Sequence, residues 1–327
     1  MSYRLAFPTL ALSLLLAAPT GAVEPFSFVA LGDTTYAIPA DNPLYEQLIA
    51  AVNSVEPVFS IHVGDTKGYG DCGREFQATQ RAFFDTFAGA VFYAPGNNEW
   101  ADCWKENRNS ADPTEILAIM RQVFFAEPRS LGAKPMPMVR QSDEDEAFAE
   151  VMENVHWQHG GATFATLNMV GTYNNLELRV EKYWHEAVRR EQANVAWVRA
   201  TFAAAREAEH RAVVISFHSN PFHEKLRYPG GPFEAVLAAI IDEAETFDGQ
   251  VLIVHGHNHA FTIDRPVTEL TFEPPGAKHD NITRLQVYGW PDMKAVRVTV
   301  DISKPWVFGF EPVWSEGASV STNSDVD

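Results

Sequence analysis

Three short segments constrain the fold of this chain more than anything else in it. Leu31-Gly32-Asp33, Val63-Gly64-Asp65 and Pro95-Gly96-Asn97 each end an apolar run on a polar side chain, and they recur every 32 residues. That interval is about one strand, one helix and the start of the next strand, so the three side chains occupy equivalent places in successive βα units. Loops after the carboxyl ends of strands in open α/β sheets converge on one crevice, where ligands bind. Ser216-Phe217-His218 and His255-Gly256-His257-Asn258-His259 end later apolar runs in the same way. Asp, Asp, Asn, His and a His-x-His pair meeting in that crevice make a dinuclear metal site.

The rest of the chain fits the same plan. Phe26–Leu31, Val58–Val63, Val91–Ala94, Thr163–Val170, Ala212–Phe217 and Gln250–Val254 are β-branched or aromatic runs bounded by turn residues, and they predict buried strands. Helical apolar spacing runs through Pro43–Ser54, Arg74–Phe87, Pro113–Phe125, Glu181–Glu209 and Pro232–Thr246, several with proline at or near the start. Past residue 260 the helices stop. Ala260–Asp264, Thr283–Tyr288, Ala295–Asp301 and Val307–Phe310 read as consecutive strands of a meander. An α/β protein with two mixed sheets packed face to face and helices outside is the architecture this order predicts. One domain is expected over 23–313, with 127–161, proline-rich and aperiodic, as an insertion near the site and 314–327 as a disordered tail.

Residues 1–22 read as a secretory signal. Arg4 precedes an apolar stretch from Leu5 to Ala18, and Thr20 and Ala22 are the small residues signal peptidase requires. The stretch is too short to span a bilayer, so an exported protein is expected, periplasmic if the source is Gram-negative, without stable membrane insertion. A formal charge of −18 repels polyanions and argues against duplex nucleic acid as a partner. The acidic run Asp143–Glu146 lacks the spaced glycine and oxygen ligands of a calcium loop. Cys72 and Cys103 are the only two cysteines, and in an oxidising compartment an even pair predicts one disulfide, at the rim of the site.

Mixed nitrogen and oxygen ligands suit Zn, Mn or Fe better than calcium. A carboxylate shared by two cations about 3.5 Å apart offsets their repulsion, and the pair activates one water for in-line attack. The order Gly-Asp, Gly-Asp, Gly-Asn-x-Glu, His, Gly-His-x-His resembles the calcineurin-like metallophosphoesterase superfamily, which includes purple acid phosphatases, from Phe26 to about Phe310. The resemblance implies a four-layer αββα sandwich and hydrolysis of a small phosphate ester by metal-activated hydroxide. It assigns Asp33, Asp65 and His259 to one metal, Asp65 as the bridge, and Asn97, His218 and His257 to the second. Glu99 is expected to support the loop through backbone hydrogen bonds without touching metal.

The sequence departs from the family pattern at two places. Members usually carry Asp-x-His at the first motif, where this chain has Thr35; purple acid phosphatases place a tyrosine three residues after the bridging Asp, where it has Gly68. Tyr36 and Tyr69 stand nearby as substitutes or as packing and rim residues. The second departure is Asn98, where the family places a histidine that resembles a general acid. An amide delivers no proton, and losing general acid–base catalysis costs about 10²–10⁴-fold. Three outcomes stay open: a leaving group that needs no acid, a substitute acid such as His223, or a site that binds a phospholigand without turnover. A periplasmic metal-binding protein with no phosphate chemistry is a further alternative.

Overall fold

The computed structural model describes residues 23–178, 180–223, 225, 230–266 and 280–315. The expected signal and nearly all of the expected tail lie outside them. Among the described residues no helix is long and apolar enough to cross a membrane.

Two mixed sheets form the centre. In the first, β1 (Phe26–Leu31), β2 (Phe59–His62) and β3 (Ala90–Tyr93) are parallel, and β11 (Ala295–Val300) and β12 (Phe308–Val313) extend it antiparallel from β1. The second has the order β4-β5-β6-β7-β8-β10-β9, built from β4 (Val139–Arg140), β5 (Val155–His159), β6 (Ala162–Thr166), β7 (Ala212–Ser216), β8 (Gln250–His255), β9 (Thr262–Asp264) and β10 (Ile282–Gln286).

Period-two alternation explains why the sheets stack. Phe28 and Ala30 of β1 face the second sheet, while Val29 and Leu31 face the helices. Ala212 and Val214 of β7 face inward in the same way, with Val213 and Ile215 outward. The layer between the sheets is aromatic: Phe92 stacks on Trp157 with centroids 3.4 Å apart, and Phe59 meets Phe164 edge-on at 5.0 Å. Truncating such a ring to alanine costs about 3–5 kcal/mol.

Helices α1 (Asn42–Ser54), α2 (Arg74–Phe84) and α3 (Pro113–Phe124) cover the outer face of the first sheet. Two of them start on proline signals: Pro43 opens α1, and Asp112 accepts from Thr114 N just before Pro113 at the start of α3. Short turns α4 (Gln141–Glu144) and α5 (Gly171–Asn174) precede the 27-residue α6 (Glu181–Glu207) and α7 (Glu234–Glu245), which cover the second sheet. The result is the expected α/β arrangement of two mixed sheets flanked by helices, in four layers.

Two expectations need correction. Part of the segment read as an insertion, 127–161, supplies β4 and β5 to the second sheet. Two-residue β4 is too short to show a period, and β5 is short, with polar His156 and Gln158 following buried Val155 and Trp157 in turn. The last four strands are also not one meander. β9 and β10 join the second sheet, with β10 parallel to β8, whereas β11 and β12 belong to the first. Hydrophobic period marks a strand but not the sheet it joins. The crossing segment between β10 and β11, residues 287–294, passes over the carboxyl ends of β1 and β8.

Candidate metal centre

All five motifs sit where parallel strands end: Asp33 after β1, Asp65 after β2, Asn97 after β3, His218 after β7, and His257 and His259 after β8. The backbone is bent hard to bring them together. Asp33, Asp65, His257 and His259 have φ of 52°, 53°, 80° and 54°. Left-handed conformations are uncommon outside glycine, cost on the order of 1–3 kcal/mol each, and cluster at functional sites. Gly256 lets the β8 loop approach β1, because a Cβ there would lie 2.1 Å from Asp33 Oδ2. The Asp33 carboxylate in turn accepts from His257 N at 3.0 and 3.1 Å.

One set of donors gathers around Asp65 Oδ1. His218 Nε2 lies 3.4 Å from it and 3.2 Å from His257 Nδ1, and Asp65, His218 and His257 each offer a ligand atom within 4.8 Å of the others. His218 Nδ1 donates to Val63 O at 2.7 Å, so Nε2 is the nitrogen turned to the cluster. Asn97 Oδ1 is buried without a hydrogen-bond partner. It and His257 Nδ1 border one gap, lying 2.5 and 2.4 Å from where a Cβ on Gly171 would stand. A carboxylate, an amide oxygen and two imidazole nitrogens turned toward one another in a buried site fit a cation.

A second set lies on the other side of Asp65. His259 Nε2 is 3.5 Å from Asp33 Oδ1, while His259 Nδ1 donates to Trp290 O at 2.6 Å. Asp65 Oδ2 accepts from the Tyr36 hydroxyl at 2.7 Å, and that hydroxyl is 2.8 Å from His259 Nε2. Trp290 N also bonds Asp33 O, so the crossing segment holds both residues.

The electrostatics follow from burial and crowding. Burial opposes ionisation of Asp65, but the adjacent His218 outweighs it and holds the carboxyl below its usual range. His218 is raised to about 10: burial disfavours its charge, and Asp65 more than compensates. His257 falls to about 4 through burial and the neighbouring His218. Burial, then Asp65 and Asp33, push the Tyr36 phenol far above its ordinary value.

Asn98 does not project freely. Its Nδ2 donates to Lys67 O at 2.8 Å, and its Oδ1 accepts from Arg108 Nη2 at 2.7 Å and Asn97 Nδ2 at 3.2 Å. Asp102 Oδ2 accepts from Asn97 Nδ2 at 3.0 Å and from Arg108 Nη1 at 3.4 Å. The four side chains form a closed ring that spends the Asn97 NH₂ group and leaves Asn97 Oδ1 for the gap. Glu99 accepts from Thr66 N and Tyr93 Oη, and burial followed by Asp65 pushes it up to about 7. Cys72 and Cys103 are joined in a disulfide, beside Asn98 O and Lys67 Nζ. His223 Nδ1 accepts from Lys225 N at 3.3 Å. His62 and His255 are buried beneath the site and pushed down to about 3 by burial.

Tyr36, Arg108, Asp102 and the Trp290 segment are the parts that motif reading left out or did not assign. Only Tyr36 carried a signal, as a polar aromatic three residues after Asp33.

No curated protein matches the sequence. Among solved structures the chain is similar to a dimetal phosphatase from Danio rerio, with TM-score 0.49 and 12% identity over 89% of this chain and 100% of that one. It is also similar to GAP50, the anchor in the inner membrane complex of Plasmodium, with TM-score 0.45 and 10% identity over 89% of each chain. The sequence model of the calcineurin-like phosphoesterases matches residues 26–261, from the first residue of β1 to just past the His-x-His pair, and so takes in every strand-end loop described above. On that match the chain belongs to the calcineurin-like phosphoesterase family.

Proposed function

We propose that this protein is a dinuclear metal-dependent phosphoesterase acting on a small phosphate ester, exported through the signal at residues 1–22. The observation that carries the reading is the division of Asp65. Its Oδ1 lies 3.4 Å from His218 Nε2, in the cluster that includes His257, and its Oδ2 accepts from the Tyr36 hydroxyl, itself 2.8 Å from His259 Nε2, so the carboxylate stands between two donor sets. Asp65, Asn97, His218 and His257 would hold one ion of the Zn, Mn or Fe type, and Asp33, Asp65 and His259 the other. Bound cations supply charge for the phosphoryl oxygens and acidify the attacking water.

The protein's own groups do the rest. Val63 O and Trp290 O orient the two imidazoles by holding their Nδ1 protons, and the Asn97–Asn98–Asp102–Arg108 ring orients the amide. Asn98 gives no proton to a leaving group, which favours esters whose leaving groups need none. Its engagement with Lys67 O and Arg108 also favours a second reading, a phospholigand-binding protein without turnover.

Purified protein loaded with Mn²⁺ or Zn²⁺ and given an aryl phosphate and a bis-aryl phosphate separates the two. Hydrolysis of either ester that disappears in Asp65→Asn supports the enzyme. Phosphate or vanadate binding without hydrolysis supports the second reading, and tight metal uptake with no oxyanion binding overturns both.

A further inference from the structure

One guanidinium, itself no ligand, is tied to the loops that carry three of the four donors Asp65, Asn97, His218 and His257. Arg190 lies on α6, is only 1% exposed, and has all five of its N–H groups engaged. Nε and Nη2 donate to the two Glu186 carboxylate oxygens at 2.6 and 3.2 Å. Nη1 donates to Asn168 O at 2.8 Å and to Asn174 Oδ1, and Nη2 donates to Asn174 O at 3.1 Å. The cation thus grips both ends of the segment 168–174. It also sits over the buried Trp100 ring, 5.0 Å from the centroid.

Each of these contacts lies close to a metal donor. Met169 O, next to Asn168, accepts from His218 N at 3.2 Å, and Asn97 O accepts from Trp100 N at 3.3 Å. Gly171, inside the gripped segment, runs so near the gap that a Cβ on it would stand 2.0 Å from His257 Cε1 and 2.5 Å from Asn97 Oδ1. The chain does not take this path by local preference. Tyr173, Asn174 and Asn175 have φ of 55°, 56° and 70°. Residues other than glycine enter the left-handed region singly, so three in a row is a conformation that the surroundings impose. Arg190 holds it at Asn174, and Glu186, the ion partner of Arg190, accepts from Asn175 Nδ2 at 3.0 Å.

We infer that Arg190 is a positioning residue for the metal held by Asp65, Asn97, His218 and His257: it latches the turn 171–175 in its strained form and so keeps Asn97 and His257 at their spacing across the gap. The inference rests on the dinuclear reading above. A lysine carries the same charge on one nitrogen with three hydrogens and cannot span Glu186, Asn168 and Asn174 as the planar fork does.

Calorimetric titration of the whole metal-free protein with Mn²⁺ tests this, together with amide hydrogen exchange over residues 168–176. Arg190→Lys should weaken the binding event that His218→Ala removes by about 10–100-fold and change the one that His259→Ala removes by less than about twofold. Exchange over 168–176 should quicken in that variant before any metal is added. Glycine accepts the left-handed region without strain, so adding Tyr173→Gly to Arg190→Lys should recover about fivefold or more of the lost affinity. A residue that served stability alone would weaken both binding events together, and the glycine would restore neither. No loss, equal loss at both positions, or no gain from Tyr173→Gly overturns the inference. If Arg190→Lys fails to fold, Asn174→Ala, which keeps every charge and removes the accepting side chain, should weaken the same event; unchanged affinity there also overturns it. A single binding event in the unaltered protein that Arg190→Lys weakens supports Arg190 and overturns the dinuclear reading; no metal binding overturns both.

Discussion

The two halves of the metal centre are built differently. Asp65, Asn97 and His218 are buried, and their supports are buried as well: Val63 O behind His218, and the Asp102–Arg108–Asn98 ring behind Asn97. Glu99 and the Cys72–Cys103 disulfide brace the same loops. In the other half Asp33 is buried, but the His259 imidazole is held by the crossing segment 287–294 and keeps 23% of its side-chain surface exposed. A site whose ligands are held by buried hydrogen bonds is preorganised, while one closed by a crossing loop gives up part of its binding energy to order that loop. The inner position should therefore hold its ion tightly and the outer one exchange it.

The largest effect is expected at the residue the halves share. Asp65→Asn should lower turnover on the order of 10³-fold or more and leave at most one metal per chain by elemental analysis. Two metals retained in that variant would break the idea of a shared carboxylate. The halves themselves are separated by His218→Ala and His259→Ala. Excess metal should rescue the activity of His259→Ala substantially and that of His218→Ala poorly; equal rescue would erase the contrast.

Arg108→Ala probes the ring, together with the Arg108 Nε bond to Gly68 O. Freed from Arg108, the Asn97 amide loses its fixed orientation, and affinity for the inner metal should fall about 10–100-fold in a metal titration, with the outer metal little changed. The smallest effect concerns pH. Glu153 is fully buried; burial raises its pKa, but Arg121, paired at 2.7 Å, outweighs this and holds it below the ordinary 4.5. A depressed folded value means this stabilisation is complete above 4.5 and is lost as pH falls through the folded pKa. Glu153 also accepts from Asn168 Nδ2, three residues before Gly171 and the inner gap. Melting temperature and inner-metal affinity should thus decline together below about pH 4.5, with a shallower melting slope in Glu153→Gln.

Much of this was legible because the chemistry follows the strands directly. An apolar run that ends in Gly-Asp, Gly-Asn, Phe-His or Gly-His announces both the strand and a candidate ligand, which is why β1, β2, β3, β7 and β8 and the six motif residues stand out. The supports were hidden for physical reasons. Arg108 reaches Asn98 from a turn with no periodic signal, and Trp290 reaches His259 from 31 residues away. The sheet membership of β9 to β12 depends on packing that hydrophobic period does not encode. Tyr36 was visible as a residue, but only the fold brings its hydroxyl to Asp65 Oδ2.

The central claim is that two cations flank Asp65, and diffraction from metal-loaded crystals at the absorption edge of the metal tests it most directly. The account predicts two anomalous peaks about 3.5–4 Å apart, one against Asp65 Oδ1 with Asn97, His218 and His257, the other against Oδ2 with Asp33 and His259. A single peak, or peaks away from Asp65, would contradict it.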